Sequence, residues 1–144
     1  MLDCFQWCKE LGIRTVANYM IGLPHEKSVN DIRESVDFLI KVNPDYALIN
    51  VLSLYPHTEI YRQALAKGLA KSGEWERFSI DPINYKFRVE HWTEFVTEIE
   101  LIKLQRESYK RFYFRPIYIW NSIKSTKSFH ELKSKIHGVM KLLG

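Results

Sequence analysis

The chain has 144 residues and a net charge of +4, and 46% of its residues are hydrophobic. This apolar fraction excludes a disordered polymer, and the length suffices for one domain with a buried core. No apolar run reaches the roughly 18 residues that would cross a bilayer. The N-terminus also lacks the basic stretch and cleavage site of a signal peptide. We therefore expect a cytoplasmic protein without a membrane span.

Positive charge is concentrated toward the C-terminus. Residues 103–144 contain ten Lys and Arg but two Glu. Such an excess permits an acidic partner without requiring one. One interpretation of the chain is therefore a stand-alone interaction or regulatory domain, which would bind a protein or another acidic partner through its basic helical tail.

The first predicted element is a short amphipathic helix over residues 2–11, ended by Gly12. Cys4 and Cys8 lie four residues apart on this helix and therefore share one face. Two thiols are too few for a structural zinc site, and helical geometry suits a disulfide poorly. We interpret both cysteines as buried helix residues.

Two strand–turn–helix units follow the first helix. The first has a strand over residues 14–21, a Gly-Leu-Pro turn at 22–24 and a helix over 28–43 with a Ser N-cap. The second has an almost continuously apolar strand over 46–54 and a helix over 58–68. This order predicts two parallel strands, with the chemistry at the loops that follow them.

The rest of the chain predicts mainly helices. Residues 74–91 mix aromatic and charged side chains without a clean period, which indicates a loop with a short helical turn. A long helix is predicted over 93–114. Pro116 breaks or kinks it, and further helices are predicted over 117–125 and 128–143. The apolar residues at helical spacings in the long helix are Phe95, Ile99, Ile102 and Tyr109.

Three segments resemble a known family. Residues 20–26, Met-Ile-Gly-Leu-Pro-His-Glu, resemble the exit of the fifth strand in radical S-adenosylmethionine enzymes, where the family usually has Gly-Leu-Pro-Gly-Glu-Thr. Residues 54–61 resemble the exit of the sixth strand, where the family often has Pro-Gly-Thr. Residues 109–116 are similar to the tail of the subgroup with a cobalamin-binding domain. That subgroup includes magnesium-protoporphyrin IX monomethyl ester oxidative cyclase-like proteins and many methyltransferases.

The resemblance implies an α/β fold. Residues 1–73 would form the last two βα units of a partial TIM-like (β/α)6 barrel, and residues 74–144 an aromatic-rich loop and a helical C-terminal extension. The missing N-terminal barrel units would be partners from the same parent protein. Because a two-stranded sheet is marginal alone, we expect the isolated chain to self-associate through its strand edges or to cover them with its C-terminal helices.

The resemblance also implies a chemistry for the parent protein, a radical S-adenosylmethionine oxidoreductase or methyltransferase. A [4Fe-4S] cluster would cleave S-adenosylmethionine to a radical that acts on a small-molecule substrate, with cobalamin as a further cofactor of the subgroup. The family holds its cluster with Cys-x3-Cys-x2-Cys. Cys4 and Cys8 have the first spacing, but position 11 is Leu11. We therefore expect no cluster, no cofactor and no activity in this chain alone.

The resemblance implies eight cofactor-proximal positions at the two strands and their exits. Gly22 would permit close backbone approach, or would simply serve a strand-to-helix turn. Asn18 and Asn50 would hydrogen-bond substrate or cofactor if their faces point into a barrel, or would otherwise need a protein partner. The eight residues are Asn18, Met20, Ile21, Gly22, Pro24, Asn50, Leu52 and Tyr55.

Two further groups of residues invite binding hypotheses. His25 and His57 each follow a strand end, where the family usually has glycine, but no third metal ligand accompanies them. We predict that both are exposed loop residues. In the tail, Lys110, Arg111 and Arg115 alternate with aromatic residues. We predict that the aromatics bury one side of a helix end while the cations stay solvated, rather than a nucleic-acid interface.

Overall fold

A computed structural model describes residues 2–125, with side chains as far as Trp120. Over this part the chain has a mixed α/β fold, and none of its helices is long and apolar enough to cross a bilayer. The predicted helix over 128–143 lies outside the described residues. The elements are α1 (Leu2–Glu10), β1 (Val16–Ile21), α2 (Val29–Val42), β2 (Tyr46–Val51), α3 (Glu59–Ala66), α4 (Glu74–Ile80), α5 (Glu98–Tyr113) and α6 (Pro116–Ser125).

The two strands are parallel, as the sequence predicted. They pair in register from Val16 opposite Tyr46 to Ile21 opposite Val51. The second strand is shorter than predicted. Leu52 N still donates to Ile21 O at 2.9 Å, but the chain then turns away from β1, and Leu54 N donates to Glu90 O at 2.9 Å. In the described part of the chain the sheet has these two strands, and the barrel stays a prediction.

Local sequence sets the bounds of α2. Ser28 is the N-cap, and its Oγ accepts a hydrogen bond from Asp31 N at 3.2 Å. Asn43 ends the helix in a left-handed conformation with φ 53°, which asparagine adopts more readily than most residues. Both boundaries agree with the prediction.

The long helix begins later than predicted. It starts after Thr97 rather than at Thr93, because Thr97 and Glu100 form a capping box. Thr97 Oγ1 accepts from Glu100 N at 3.3 Å, and the Glu100 carboxylate accepts from Thr97 N at 3.1 Å. These reciprocal bonds satisfy amides that the first turn of a helix leaves without partners.

The buried side of α5 differs from the predicted apolar stripe. Phe95, Ile99 and Ile102 are 47%, 81% and 39% exposed, so these three positions do not contribute to the core. The helix carries a second apolar stripe, and that stripe packs against β2 and α2. Its buried residues are Leu101, Leu104, Ser108, Tyr109, Phe112 and Tyr113.

Side chains of α5 close the outer edge of β2. The Tyr113 hydroxyl accepts from Ala47 N at 3.1 Å and donates to Ala47 O at 2.9 Å. One turn away, the Tyr109 hydroxyl accepts from Ile49 N at 2.9 Å, and Gln105 Nε2 donates to Ile49 O at 2.7 Å. These backbone groups face away from β1. The α5 side chains therefore take the hydrogen-bonding place of a third strand.

Two apolar clusters form the core. The first joins one face of the sheet to α2 and α5, with Ile21, Ile49 and Phe112 fully buried. In the second, α3 packs against Leu52 and Leu54, which follow β2. The predicted division of the chain at residue 73 stays a prediction. α5 lies after residue 73 and packs on β2 and α2, which lie before it. The second cluster contains Leu52, Leu54, Tyr61, Ala64, Ala70 and Trp92.

The first helix forms where predicted but is poorly covered. No residue of α1 is buried. Cys4 is exposed and Cys8 is half-buried, so the prediction of two buried cysteines is wrong. Of its apolar stripe, Phe5 and Cys8 are half-buried, while Leu2 and Leu11 are exposed.

Replacing Tyr113 with Phe keeps the ring and removes the hydroxyl that Ala47 uses. We expect the free energy of unfolding to fall by about 1–3 kcal/mol, because a buried amide then lacks a partner. Tyr55→Phe is the matched control, since that ring is 54% exposed, and should change stability by less than about 0.5 kcal/mol. Urea denaturation followed by circular dichroism measures both. Equal stabilities of the two variants would contradict closure of the edge by this hydroxyl.

Candidate functional site

The parallel register brings the carboxyl ends of β1 and β2 to the same end of the sheet. In parallel sheets, ligands bind beside these ends. The predicted site residues divide into three groups here. Some lie on an open face of the sheet, others are buried at the turn after β1, and Tyr55 lies on a rim of aromatic side chains.

The open sheet face carries two of the predicted asparagines. Met20 lies opposite Asn50, and Asn18 lies opposite Leu48. Met20 and Leu48 are 44% and 46% exposed, and both asparagines are exposed. Since the two amides are diagonal neighbours across the strands, they lie on the same face of the sheet. Neither side-chain amide forms a hydrogen bond with another described residue.

Three other predicted site residues are buried. Ile21 is fully buried on the opposite face of the sheet, and Leu52 belongs to the second cluster. Gly22 has φ 76°, and a Cβ added there would lie 3.0 Å from Leu101 Cδ2. The nearest neighbour of Gly22 is thus α5. Packing accounts for all three residues, and their role near a cofactor stays a prediction.

Tyr55 and Pro24 lie in the loops beyond the two strands. Pro24 is half-buried in the turn between β1 and α2. The exposed Tyr55 ring lies 5.1 Å from the Trp75 ring, which meets Phe87 edge-on at 4.5 Å. Trp75 Nε1 donates to Leu54 O at 3.1 Å. These contacts hold α4 against the segment that follows β2.

The structure adds Glu26, which the sequence-based site omitted. Glu26 is 3% exposed, and its Oε2 accepts from Leu23 N at 2.8 Å. Its Oε1 has no hydrogen-bond partner among the described residues. Burial, with a smaller contribution from the Glu26 charge, raises the pKa of Tyr19. A buried carboxyl group with an unpaired oxygen beside a strand end is a candidate ligand contact.

Glu26 was missed because a glutamate just before a helix N-cap is ordinarily solvated. Its position in the family-like segment 20–26 was the one available signal. The carboxyl group is buried because the turn folds it back onto Leu23 N. The sequence predicted a turn here, but not this contact.

The two histidines are exposed, as predicted. His57 adopts φ 63°, so the backbone keeps a left-handed conformation that favours glycine even though the side chain is present. His25 has no positive φ. No group of three His, Cys, Asp or Glu within the described part of the chain could hold a metal ion.

The basic residues of the tail form more contacts with the rest of the chain than predicted. Arg111 forms an ion pair with Asp37. The Arg115 guanidinium lies 4.3 Å from the centre of the Phe112 ring and donates to Ile40 O at 3.0 Å. Burial lowers the pKa of Arg115, so the prediction of a solvated cation is wrong at this position. The aromatics that are buried as predicted are Tyr109, Phe112 and Tyr113.

Comparison with known proteins gives one relative to report. The chain is similar to a protein of Pyrococcus horikoshii described as an uncharacterized methyltransferase, with 26% identity over 142 residues. The match covers 98% of this chain and 29% of the relative, so the chain spans less than a third of that protein's length. No family model and no solved structure matches the chain.

His57→Gly should raise the free energy of unfolding by up to about 1 kcal/mol, because relief of the left-handed strain outweighs the entropy of an added glycine. His25→Gly is the matched control and should lower it by about 0.5 kcal/mol, since no strain is relieved there. Chemical denaturation of both variants shows whether the free energy of unfolding rises or falls in each. A loss of stability in both would contradict strain at His57.

Gly22→Ala should lower the free energy of unfolding by about 2–3 kcal/mol, from the strained φ together with the contact with Leu101. Gly12→Ala provides the control, because Gly12 has a similar φ of 69° and no atom within 4 Å of an added Cβ. That variant should lose about 1 kcal/mol. Thermal and urea denaturation compare them, and equal losses would mean that Leu101 yields without cost.

Proposed function

We propose that this chain forms the C-terminal barrel portion of a radical S-adenosylmethionine enzyme whose reaction class is methyl transfer. Similarity to a protein described as a methyltransferase supports the use of S-adenosylmethionine. The strand exits at residues 20–26 and 54–61 and the tail at 109–116 support the radical subgroup. On this proposal the parent protein acts in the cytoplasm on a small-molecule substrate.

The observation that carries the proposal is the one-sided cover of the sheet. Helices α2 and α5 pack on the face that contains Tyr19 and Ile49. The opposite face stays open and presents Asn18, Met20 and Asn50. Parallel barrels have this division, with helices outside and side chains that face the interior within. The open face would then line the space in which the reaction takes place.

The open face suits the adenosyl part of S-adenosylmethionine. Each asparagine amide offers hydrogen-bond donors and acceptors that no described residue uses. Met20 and Leu48 provide apolar surface beside them, and neither strand contains a charged residue. Asn18 and Asn50 would orient a flat heterocycle, and the two apolar side chains would exclude water from it. S-adenosylmethionine, when bound, supplies the transferable methyl group or the radical.

The cysteines present do not suit the cluster. A [4Fe-4S] cluster in this family needs three thiolates close together. Cys4 and Cys8 lie on α1, one exposed and one half-buried, and the chain has no third cysteine. We therefore assign the cluster, and any cobalamin, to other units of a longer parent protein. Those units would pair along β1, because α5 occupies the edge of β2.

The test uses the longest polypeptide that carries this chain, supplied anaerobically with iron and sulfide. We expect reductant-dependent formation of 5′-deoxyadenosine. Asn18→Ala and Asn50→Ala should each weaken S-adenosylmethionine binding by about 5- to 10-fold, the equivalent of one lost hydrogen bond. Asn30→Ala, at an exposed position of α2, should leave binding unchanged. Calorimetry gives the affinities, and chromatography detects the nucleoside.

Two outcomes would contradict the proposal. If no 5′-deoxyadenosine forms and both asparagine variants bind S-adenosylmethionine normally, the radical assignment and the open-face site both fail. Stable binding of a cluster to Cys4 and Cys8 in this chain alone would contradict the assignment of the cluster to other units.

A further inference from the structure

The outer edge of β1 is unpaired. Every second residue from Thr15, just before β1, to Ile21 hydrogen-bonds β2. The residues between them, Val16, Asn18 and Met20, direct their N–H and C=O groups away from β2. No other described residue hydrogen-bonds these outward groups. The strand therefore presents three residues ready for pairing.

This edge also lacks the features that usually protect an edge strand. Natural edges carry charged residues, prolines or bulges that prevent pairing. The sequence of β1, Val-Ala-Asn-Tyr-Met-Ile, contains neither a charged residue nor a proline. Val16 and Met20 are 55% and 44% exposed. The edge is thus apolar, extended and open, in contrast to the edge of β2.

We propose that two copies of this chain pair antiparallel through β1, with Asn18 opposite the partner's Asn18. In this register Val16 lies opposite the partner's Met20, since antiparallel pairing about a two-fold axis reverses the strand. The edge is self-complementary, with apolar facing apolar and amide facing amide. Because the interface contains no charge, no like-charge pair opposes the association.

The assembly should stop at a dimer. Pairing through β1 gives a four-stranded sheet whose two outer strands are both β2. Tyr109, Tyr113 and Gln105 already occupy the outward backbone groups of β2 at Ala47 and Ile49. No further strand can add there, so the sheet closes as a symmetric pair and does not extend into a fibre. The inference concerns this chain by itself, because the units that the proposed function places along β1 would occupy the same edge.

Charge substitutions at the centre of the interface test the register. Asn18→Asp and Asn18→Lys each place like charges opposite one another, and each should weaken the dimer by up to about fivefold. An equimolar mixture of the two variants should form a heterodimer at least as tight as the wild-type dimer. Sedimentation velocity over a range of concentrations gives the dissociation constants, and circular dichroism checks that each variant is folded.

A proline and a face variant separate edge pairing from stacking of the sheet faces. Asn18→Pro removes an N–H that β2 does not use, so the monomer should keep its fold and lose the dimer. Leu48→Lys is the control, because Leu48 lies on the open face but on β2, and it should keep the dimer. Amide exchange at Asn18 should slow as concentration rises in the wild type.

Three results would overturn the proposal. The first is a wild-type chain that stays monomeric at every concentration measured. The second is a dimer that survives Asn18→Pro in a folded variant and is lost in Leu48→Lys, which would indicate face stacking. The third is a mixture of the Asp and Lys variants that shows no preference for the heterodimer. If Asn18→Pro fails to fold, the charge-pair mixture still decides.

Discussion

The hydrogen bonds from α5 to the edge of β2 are the constraint on which the rest of the structure depends. Two parallel strands alone leave both edges unpaired and are marginal in water. The hydroxyl groups of Tyr109 and Tyr113 satisfy amides that a neighbouring strand would otherwise take. Each such bond contributes about 1 kcal/mol, and leaving the buried amide without a partner would cost more. The same side chains fill the first apolar cluster, so closure of the edge and burial of the core occur together.

Closure of one edge decides where ligands and partners can approach. α5 also packs against α2, with Arg33 paired to Glu107 at 3.1 Å, and it reaches the turn after β1 through Leu101. The helices thus take one face, one edge and the inner side of that turn. The open sheet face and the edge of β1 are the parts of the sheet that these helices leave uncovered.

Local signals predicted the parts of the fold that depend on local bonds. The Ser28 cap and the parallel strands followed from residue type and periodicity. The side of α5 that is buried did not, because the helix has two apolar stripes and only its contact with β2 selects the one with Leu101. The face shared by Asn18 and Asn50 follows from strand alternation and register. The sequence predicted a turn at residues 22–24, but not that Glu26 would fold back onto Leu23 N and be buried there.

The side chains that close the edge of β2 are synthesised long after the strand itself. Ala47 and Tyr113 are 66 residues apart in the chain. At about 5–20 residues per second, a ribosome that has completed β2 needs roughly 3–13 s to add the tyrosine that closes its edge. The nascent chain therefore carries an apolar strand with an unpaired edge throughout that interval, part of it outside the exit tunnel. Slower elongation between α3 and α5 would lengthen the time during which this edge is unpaired.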